Sequence, residues 1–364
     1  MMIVFFMSAV VLVYVYIGYP LVVIAAAACV KKPVGKKTST PFVTMIISAY
    51  NEEKVIDKKI ANTIALNYPK EHLEIIVVSD GSTDRTDQMV HDAGIRLLRI
   101  EGRQGKTHCQ NQAVDIARGE IIVFSDANSM YESDAISQLV ANFSDPQVGV
   151  VCGELRYDAG NDTEEGLYWK IEVFLKYSES VIDSCLGANG AIYGIRKSLY
   201  IKIPDHAGSD FVEPFMAYRQ GYRVIYDAGA RCVECPVSLE QELRRKERII
   251  LGTLQSIPII ADFLNPFRYG WYSIALWSHK IIRWFTFVFL VLLAVSNIFL
   301  ISSPLFMALF GAQVLFYLFA GIGLIVQHRL FTIPYYFVIL QIASMRAAVG
   351  WVRGRRAVIW TTIR

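Results

Sequence analysis

The stretch Ile121-Ile122-Val123-Phe124-Ser125-Asp126-Ala127-Asn128-Ser129 runs four apolar residues, β-branched or aromatic, into Ser-Asp and a small polar turn. An apolar run of this length, closed by turn residues, predicts a strand buried on both faces. Asp126 then stands where the strand ends, at the edge of an α/β sheet where ligands bind. A carboxylate there, with an amide oxygen two residues on at Asn128, can hold a divalent metal through oxygen ligands. Asp and Ser are also ordinary turn residues, so the stretch alone equally allows a strand end that caps the next helix.

Outward from this strand the pattern repeats. Phe42–Ala49 is a strand closed by Tyr50-Asn51-Glu52-Glu53, and Leu73–Val78 is a strand closed by Ser79-Asp80-Gly81-Ser82-Thr83-Asp84. Ile95–Ile100 is a third strand, and Lys106–Ala117 is the helix before the fourth. This β-α alternation predicts a parallel, doubly wound sheet, with Tyr50, Glu52, Asp80 and Asp126 converging on the carboxyl edge of its strands. Farther on, Val148–Tyr157, Ala191–Ile195 and Tyr222–Asp227 read as strands. Asp162–Ser184, the segment opened by Ser209-Asp210, and Ser238–Leu254 read as helices.

The flanks are different. Of the 364 residues 54% are hydrophobic, more than an ordinary soluble domain carries, and the excess lies in residues 1–30 and 271–350. Residues 2–28 carry no charge and are long enough to span a bilayer. They lack a basic leader and a cleavage site, which indicates a membrane helix rather than a signal peptide. Lys31, Lys32, Lys36 and Lys37 follow, so the positive-inside rule places the rest of the chain after a 31–41 linker in the cytoplasm. The globular domain takes residues 42–250. Residues 251–283, with Trp271, His279, Lys280 and Arg283, suit interfacial amphipathic helices.

Within 284–352, Trp284–Ile301 and Pro304–Val326 are candidate spans. Phe331–Val352 is interrupted by Gln341, Ser344 and Arg346, and a full span would put Arg353, Arg355 and Arg356 outside. A re-entrant or interfacial segment is therefore favoured there, with 353–364 a basic cytoplasmic tail. The expected localisation is the cell membrane, multi-pass. The net charge of +3 implies no nucleic-acid partner. The six cysteines are scattered and read as free thiols, and Cys232-Val233-Glu234-Cys235 is a lone CxxC without a second pair at zinc spacing.

Seven short pieces, in this order, resemble the family-2, inverting, membrane-bound glycosyltransferases of the GT-A fold. They are Ala49-Tyr50-Asn51-Glu52-Glu53, Val78-Ser79-Asp80-Gly81-Ser82-Thr83-Asp84, Gly105-Lys106, Ser125-Asp126-Ala127-Asn128, Gly187-Ala188-Asn189-Gly190, Ser209-Asp210 and Gln241-Glu242-Leu243-Arg244-Arg245. The resemblance covers about residues 42–250 and implies transfer from a nucleotide-sugar donor, a UDP-sugar above all, to a glycan or lipid-linked acceptor at the bilayer. It implies that Tyr50, Glu52, Asp80 and Lys106 bind the nucleotide, and that Asp126 and Asn128 hold Mn2+ or Mg2+, with Asn128 a neutral substitute for the family's second acid. Asp210 becomes the general base, with Glu213 an outside candidate, and Gly187, Ala188, Asn189 and Gly190 form an acceptor-side loop. Gln241, Arg244 and Arg245 resemble the family's Gln-x-x-Arg-Trp motif on the pyrophosphate, with Arg245 in place of the tryptophan. That ring belongs to the acceptor platform of processive members, so its absence, with few spans, favours single-sugar transfer or a homo-oligomer. Processive polysaccharide synthesis, sugar transfer to a polyprenyl phosphate and a silent subunit of an export complex remain the alternatives.

Overall fold

The computed structural model describes residues 1–158, 164–235 and 238–355. Eight strands form one mixed sheet in the order β3-β2-β1-β4-β7-β6-β8-β5. They are β1 (Val43–Ala49), β2 (Leu73–Asp80), β3 (Arg96–Ile100), β4 (Ile121–Asp126), β5 (Met130–Tyr131), β6 (Val148–Tyr157), β7 (Tyr193–Arg196) and β8 (Arg223–Glu234). The four apolar residues that open β4 are buried, and helices cover both faces of the sheet.

The parallel reading holds for β3-β2-β1-β4. Beyond β4 the sheet is mixed: β7 runs antiparallel to both β4 and β6, β6 runs parallel to β8, and the short β5 runs antiparallel to β8. This reversal positions the site. Register pairs Asp126 with Ser48 and Ala49 with Ser79, which lines up the carboxyl ends of β1, β2 and β4. The antiparallel β7 starts where β4 ends, with Phe124 opposite Tyr193 and their rings 4.8 Å apart. The loop that enters β7, Gly187–Gly190, is thereby delivered to the same edge. Tyr193 is fully buried and its ring packs in the core.

Residues 31–41 form neither helix nor strand, yet they are pinned along their length. Lys32 donates its backbone N–H to Val181 O at 2.9 Å, and its carbonyl accepts from Arg223 Nη2 at 2.9 Å. Lys36 Nζ bonds Asp227 at 2.6 Å, and Lys37 N–H bonds Ala141 O at 3.2 Å.

Among the described residues three helices are long and apolar enough to cross a membrane: Met2–Cys29, Pro304–Ile322 and Arg329–Val352. The last is unbroken and lacks the turn that a re-entrant segment needs. Gln341 accepts from Thr286 and Ser344 Oγ bonds Leu340 O within the helix, whereas Arg346 is exposed. The expected span at Trp284–Ile301 is instead the second arm of a bent pair, Pro266–Trp284 and Thr286–Ile298, meeting at 59°. All six cysteines are unpaired. Residues 356–364, most of the predicted basic tail, lie outside the described residues, as do Asp162 and Thr163 at the start of the predicted 162–184 helix.

Candidate active site

A cavity of about 600 Å³ opens at the carboxyl edge of the strands. Glu52, Lys106, Asp126, Asn128, the loop Gly187–Gly190 and Asp210 line it. Lys106 heads the helix Lys106–Ile116 behind Gly105, whose φ of 99° suits glycine. Its ammonium pairs with Asp126 Oδ1 and reaches Gly190 O at 3.5 Å. Asp210 sits in the first turn of the helix Ser209–Arg219, and its carbonyl accepts the Ala188 N–H at 2.7 Å. The loop and the carboxylate are thus one unit. At Gly190 an added Cβ would stand 3.1 Å from both Asp210 Oδ2 and Lys106 Nζ. Gly190→Val is expected to push these two apart and cut turnover at least about tenfold with little loss of folding. Steady-state kinetics beside a thermal melt checks this, and unchanged kinetics would refute it.

Tyr50 and Asp80 do not line this cavity. Asp80 is fully buried and accepts the backbone N–H groups of Gln104 at 2.7 Å and Gly105 at 3.1 Å. Arg103 bonds Asp80 at 3.4 Å and stacks over Tyr50, 3.4 Å from the ring centre. These residues build the loop in front of Lys106.

Glu213, one turn after Asp210, is buried and absent from the cavity wall, whereas Asp210 lines it. Burial, with Asp210 nearby, pushes the Glu213 carboxyl up to about 8, against the lowering effect of the Tyr193 hydroxyl. A raised carboxyl means the folded protein holds a proton that the unfolded chain releases. Its stabilising share is therefore complete below about 4.5 and is lost as pH rises toward 8. Glu213→Gln is expected to gain melting temperature relative to the parent between pH 5 and pH 9. Parallel melting curves across that range would contradict this.

The helix Leu239–Ser256 supplies the basic wall, but with a different rotation from the expected one. Gln241 lines the cavity while its side chain closes a capping box, accepting the Ser238 N–H at 2.9 Å. Arg244 points away: its side chain is 71% exposed and pairs with Glu240 at 2.6 Å. Arg245, Lys246 and Arg248 face inward. Burial would lower the Arg245 guanidinium, but Glu234 at 3.6 Å and Tyr157 beside it raise it. Glu234 also takes the Ser129 hydroxyl at 2.5 Å, which ties Arg245 to the Asp126–Ser129 turn. Beneath that turn, Lys59 donates to Ser129 O, and burial lowers its ammonium to about 7.

Arg248 escaped the sequence reading. Burial and Arg245 lower its guanidinium, and its Nη1 is buried without a hydrogen-bond partner among the described residues. A helical wheel started at the Ser238 cap would have placed 241, 245 and 248 on one face and 244 beside it. Arg248→Ala is expected to weaken nucleotide diphosphate binding about 10- to 100-fold, and Arg244→Ala less than about twofold. Calorimetry that reversed this order would restore Arg244 to the site.

No group of three or more His, Cys, Asp or Glu side chains able to hold a metal occurs among the described residues. Asp126 and Asn128 offer a carboxylate and an amide on the cavity wall. That donor set fits Mg2+ or Mn2+, which are held by one or two carboxylates together with substrate phosphates.

The profile of the family Glycosyl transferase family 2 matches residues 44–221. Poly-beta-1,6-N-acetyl-D-glucosamine synthase of Staphylococcus aureus is 24% identical over 219 residues, which are 56% of this chain and 52% of that one. Beta-monoglucosyldiacylglycerol synthase of Nostoc is 33% identical over 120 residues, 31% of this chain and 26% of that one. The chain thus spans about half the length, or less, of these curated relatives. A mannosyltransferase from Pyrobaculum calidifontis, solved with GDP-Man and Mn2+, is 22% identical, covers 97% of this chain and 99% of its own, and superposes with a TM-score of 0.75. The fold of the sheet and its helices is that of the GT-A glycosyltransferases. Residues 44–221, just under half of the chain, match the Glycosyl transferase family 2 model, and over that stretch the chain is similar to the family-2 glycosyltransferases.

Proposed function

We propose that this protein is an inverting glycosyltransferase that moves one sugar from a nucleotide-activated donor to an acceptor hydroxyl, for polysaccharide or glycolipid assembly. The observation that carries the reading is the meeting of Asp126, Lys106, Asp210 and Arg248 on one cavity. Arg245 and Arg248 face the donor's diphosphate, and Lys106 leaves Asp126 to join them. Asp126 and Asn128 would hold a divalent cation, which neutralises the leaving diphosphate. Asp210 takes the acceptor's proton while the acceptor oxygen bonds the anomeric carbon. The bond from that carbon to the diphosphate breaks, and the nucleotide leaves with the electron pair. One displacement inverts the centre.

Lys31, Lys32, Lys36 and Lys37, directly after the helix Met2–Cys29, support a multi-pass membrane protein with the site facing the cytoplasm. The Pyrobaculum protein's GDP-Man and Mn2+ favour Mn2+ and leave both uridine and guanosine donors to be screened. Release of nucleotide diphosphate from UDP- and GDP-sugars with Mn2+ or Mg2+ is the test. Neither hydrolysis nor binding of any donor would overturn the reading, and long polymer from a single donor would replace single transfer with processive synthesis.

A further inference from the structure

The helix Glu164–Ile182 carries three buried charged residues on one face, Glu172, Lys176 and Glu179. The two glutamates key the helix in place. His279 bonds Glu172 at 3.0 Å and Glu179 at 2.8 Å. Glu179 also accepts from Tyr19 at 2.6 Å, and Glu172 from Lys280 at 2.5 Å. Partners from the helices Met2–Cys29 and Leu276–Ile281 thus fix how this helix is turned.

Lys176, between the glutamates, is tied to something else. It is 6% exposed, and its ammonium donates to Asn189 Oδ1 at 2.7 Å and to Ala188 O at 3.3 Å. Both acceptors belong to the loop Gly187–Gly190. Burial would lower this ammonium, but Cys152, Glu172, Cys185 and Asp210 raise it, so it stays charged at neutral pH. A buried charge is costly, and an apolar side chain of like volume fills such a place without that cost. Packing therefore does not account for the lysine, whereas its two bonds to the loop do.

The loop in turn bounds Asp210. Asn189 donates its amide to Gly153 O at 2.6 Å, and its carbonyl takes the Ile192 N–H at 2.9 Å. An added Cβ would stand 3.1 Å from Asp210 Oδ2 at Gly190 and 3.6 Å from Oδ1 at Gly208. The carboxylate is thus flanked by two glycines, with no side chain to cushion it, and a shift of the loop passes directly to it. An error of about 1 Å in placing a reacting group costs on the order of 100-fold in rate.

We propose that Lys176 is a positioning residue for sugar transfer. Through Asn189 and Ala188 it fixes the loop that decides where the Asp210 carboxylate stands. This rests on the reading of Asp210 as the base and adds to it the side chain that holds that base in register.

The test uses the full-length protein in phosphatidylcholine nanodiscs and follows nucleotide release from the UDP- or GDP-sugar it hydrolyses, so that water is the acceptor. Lys176→Met keeps the length of the side chain and removes the ammonium. Its kcat is expected to fall about 10- to 100-fold, with donor KM and the affinity and stoichiometry of UDP or GDP binding within about twofold. Hydrogen–deuterium exchange of the Ala188 and Ile192 amides should rise at least about tenfold, while that of the helix Leu239–Ser256 stays as in the parent. Lys176→Arg, which keeps a cation, should lie closer to the parent in both measurements. Asn189→Ala cuts the same tie from the loop's end and should reproduce both changes. The double variant should be no more than about twofold worse than the worse single one. Unchanged exchange would overturn the proposal, as would faster exchange with kcat held. Turnover and binding stoichiometry lost in step would overturn it too, since they mark a residue that serves folding alone. Asp210→Asn in the same assay separates the two claims. If it turns over like the parent, the base reading fails, and exchange at Ala188 still decides whether Lys176 holds the loop.

Discussion

Asp210→Asn is expected to slow sugar transfer by about 10²- to 10⁴-fold, the range that general-base removal costs, while UDP or GDP binding changes less than about twofold. Three features make this separable. Asparagine keeps the size of the side chain that abuts Gly190. The bond that locks the Gly187–Gly190 loop, from Ala188 N–H to the Asp210 carbonyl, belongs to the backbone and survives the change. The arginines proposed to face the diphosphate, Arg245 and Arg248, stand on another helix, Leu239–Ser256. Initial rates and nucleotide calorimetry on one preparation decide the matter. Parallel loss of binding and turnover would make Asp210 a structural residue.

Asp126→Ala is expected to abolish the gain in nucleotide affinity that Mn2+ or Mg2+ brings, and to lower turnover at least about 100-fold. Loss of mere outer-shell support to a metal ligand already costs 10- to 100-fold, and Asp126 is the carboxylate beside Asn128 at this wall. The variant also releases Lys106, whose ammonium pairs with Asp126. Metal-free nucleotide binding should therefore hold or improve, since a free ammonium meets the diphosphate without first breaking an ion pair. Titrations of UDP with and without Mn2+ distinguish the outcomes. An undiminished metal effect would move the cation elsewhere.

The strands around Asp126 could be read from the chain because burial on both faces leaves an uninterrupted apolar run, and β1, β2 and β4 all carry one. Strand direction could not, since Ala191–Ile195 shows the same apolar character whether it runs with β4 or against it. Asp126, Lys106 and Asp210 were found by short-range motifs, and the fold brings them together. The arginine wall was misassigned between neighbours: one residue turns a helix by 100°, and the cap at Ser238 sets the phase that exposes Arg244 and turns Arg245 and Arg248 inward. Arg245, in a place where the family has tryptophan, makes physical sense beside Glu234, eleven residues away in sequence but in reach only through the sheet. The polar residues Gln341, Ser344 and Arg346 suggested a re-entrant or interfacial segment; the fold makes one continuous helix there, in which Gln341 accepts from Thr286 and Ser344 bonds the helix backbone.

The stretch after the first membrane helix has a consequence for which acceptors can react. Bonds from Lys32, Lys36 and Lys37 fasten it to the catalytic domain at intervals, so the domain cannot ride up and down on a loose tether. On the proposed reading, with Met2–Cys29 in the bilayer and Asp210 as the base, the strap holds Asp210 at a set distance from the end of that helix, and acceptors would be selected by the reach of their hydroxyl.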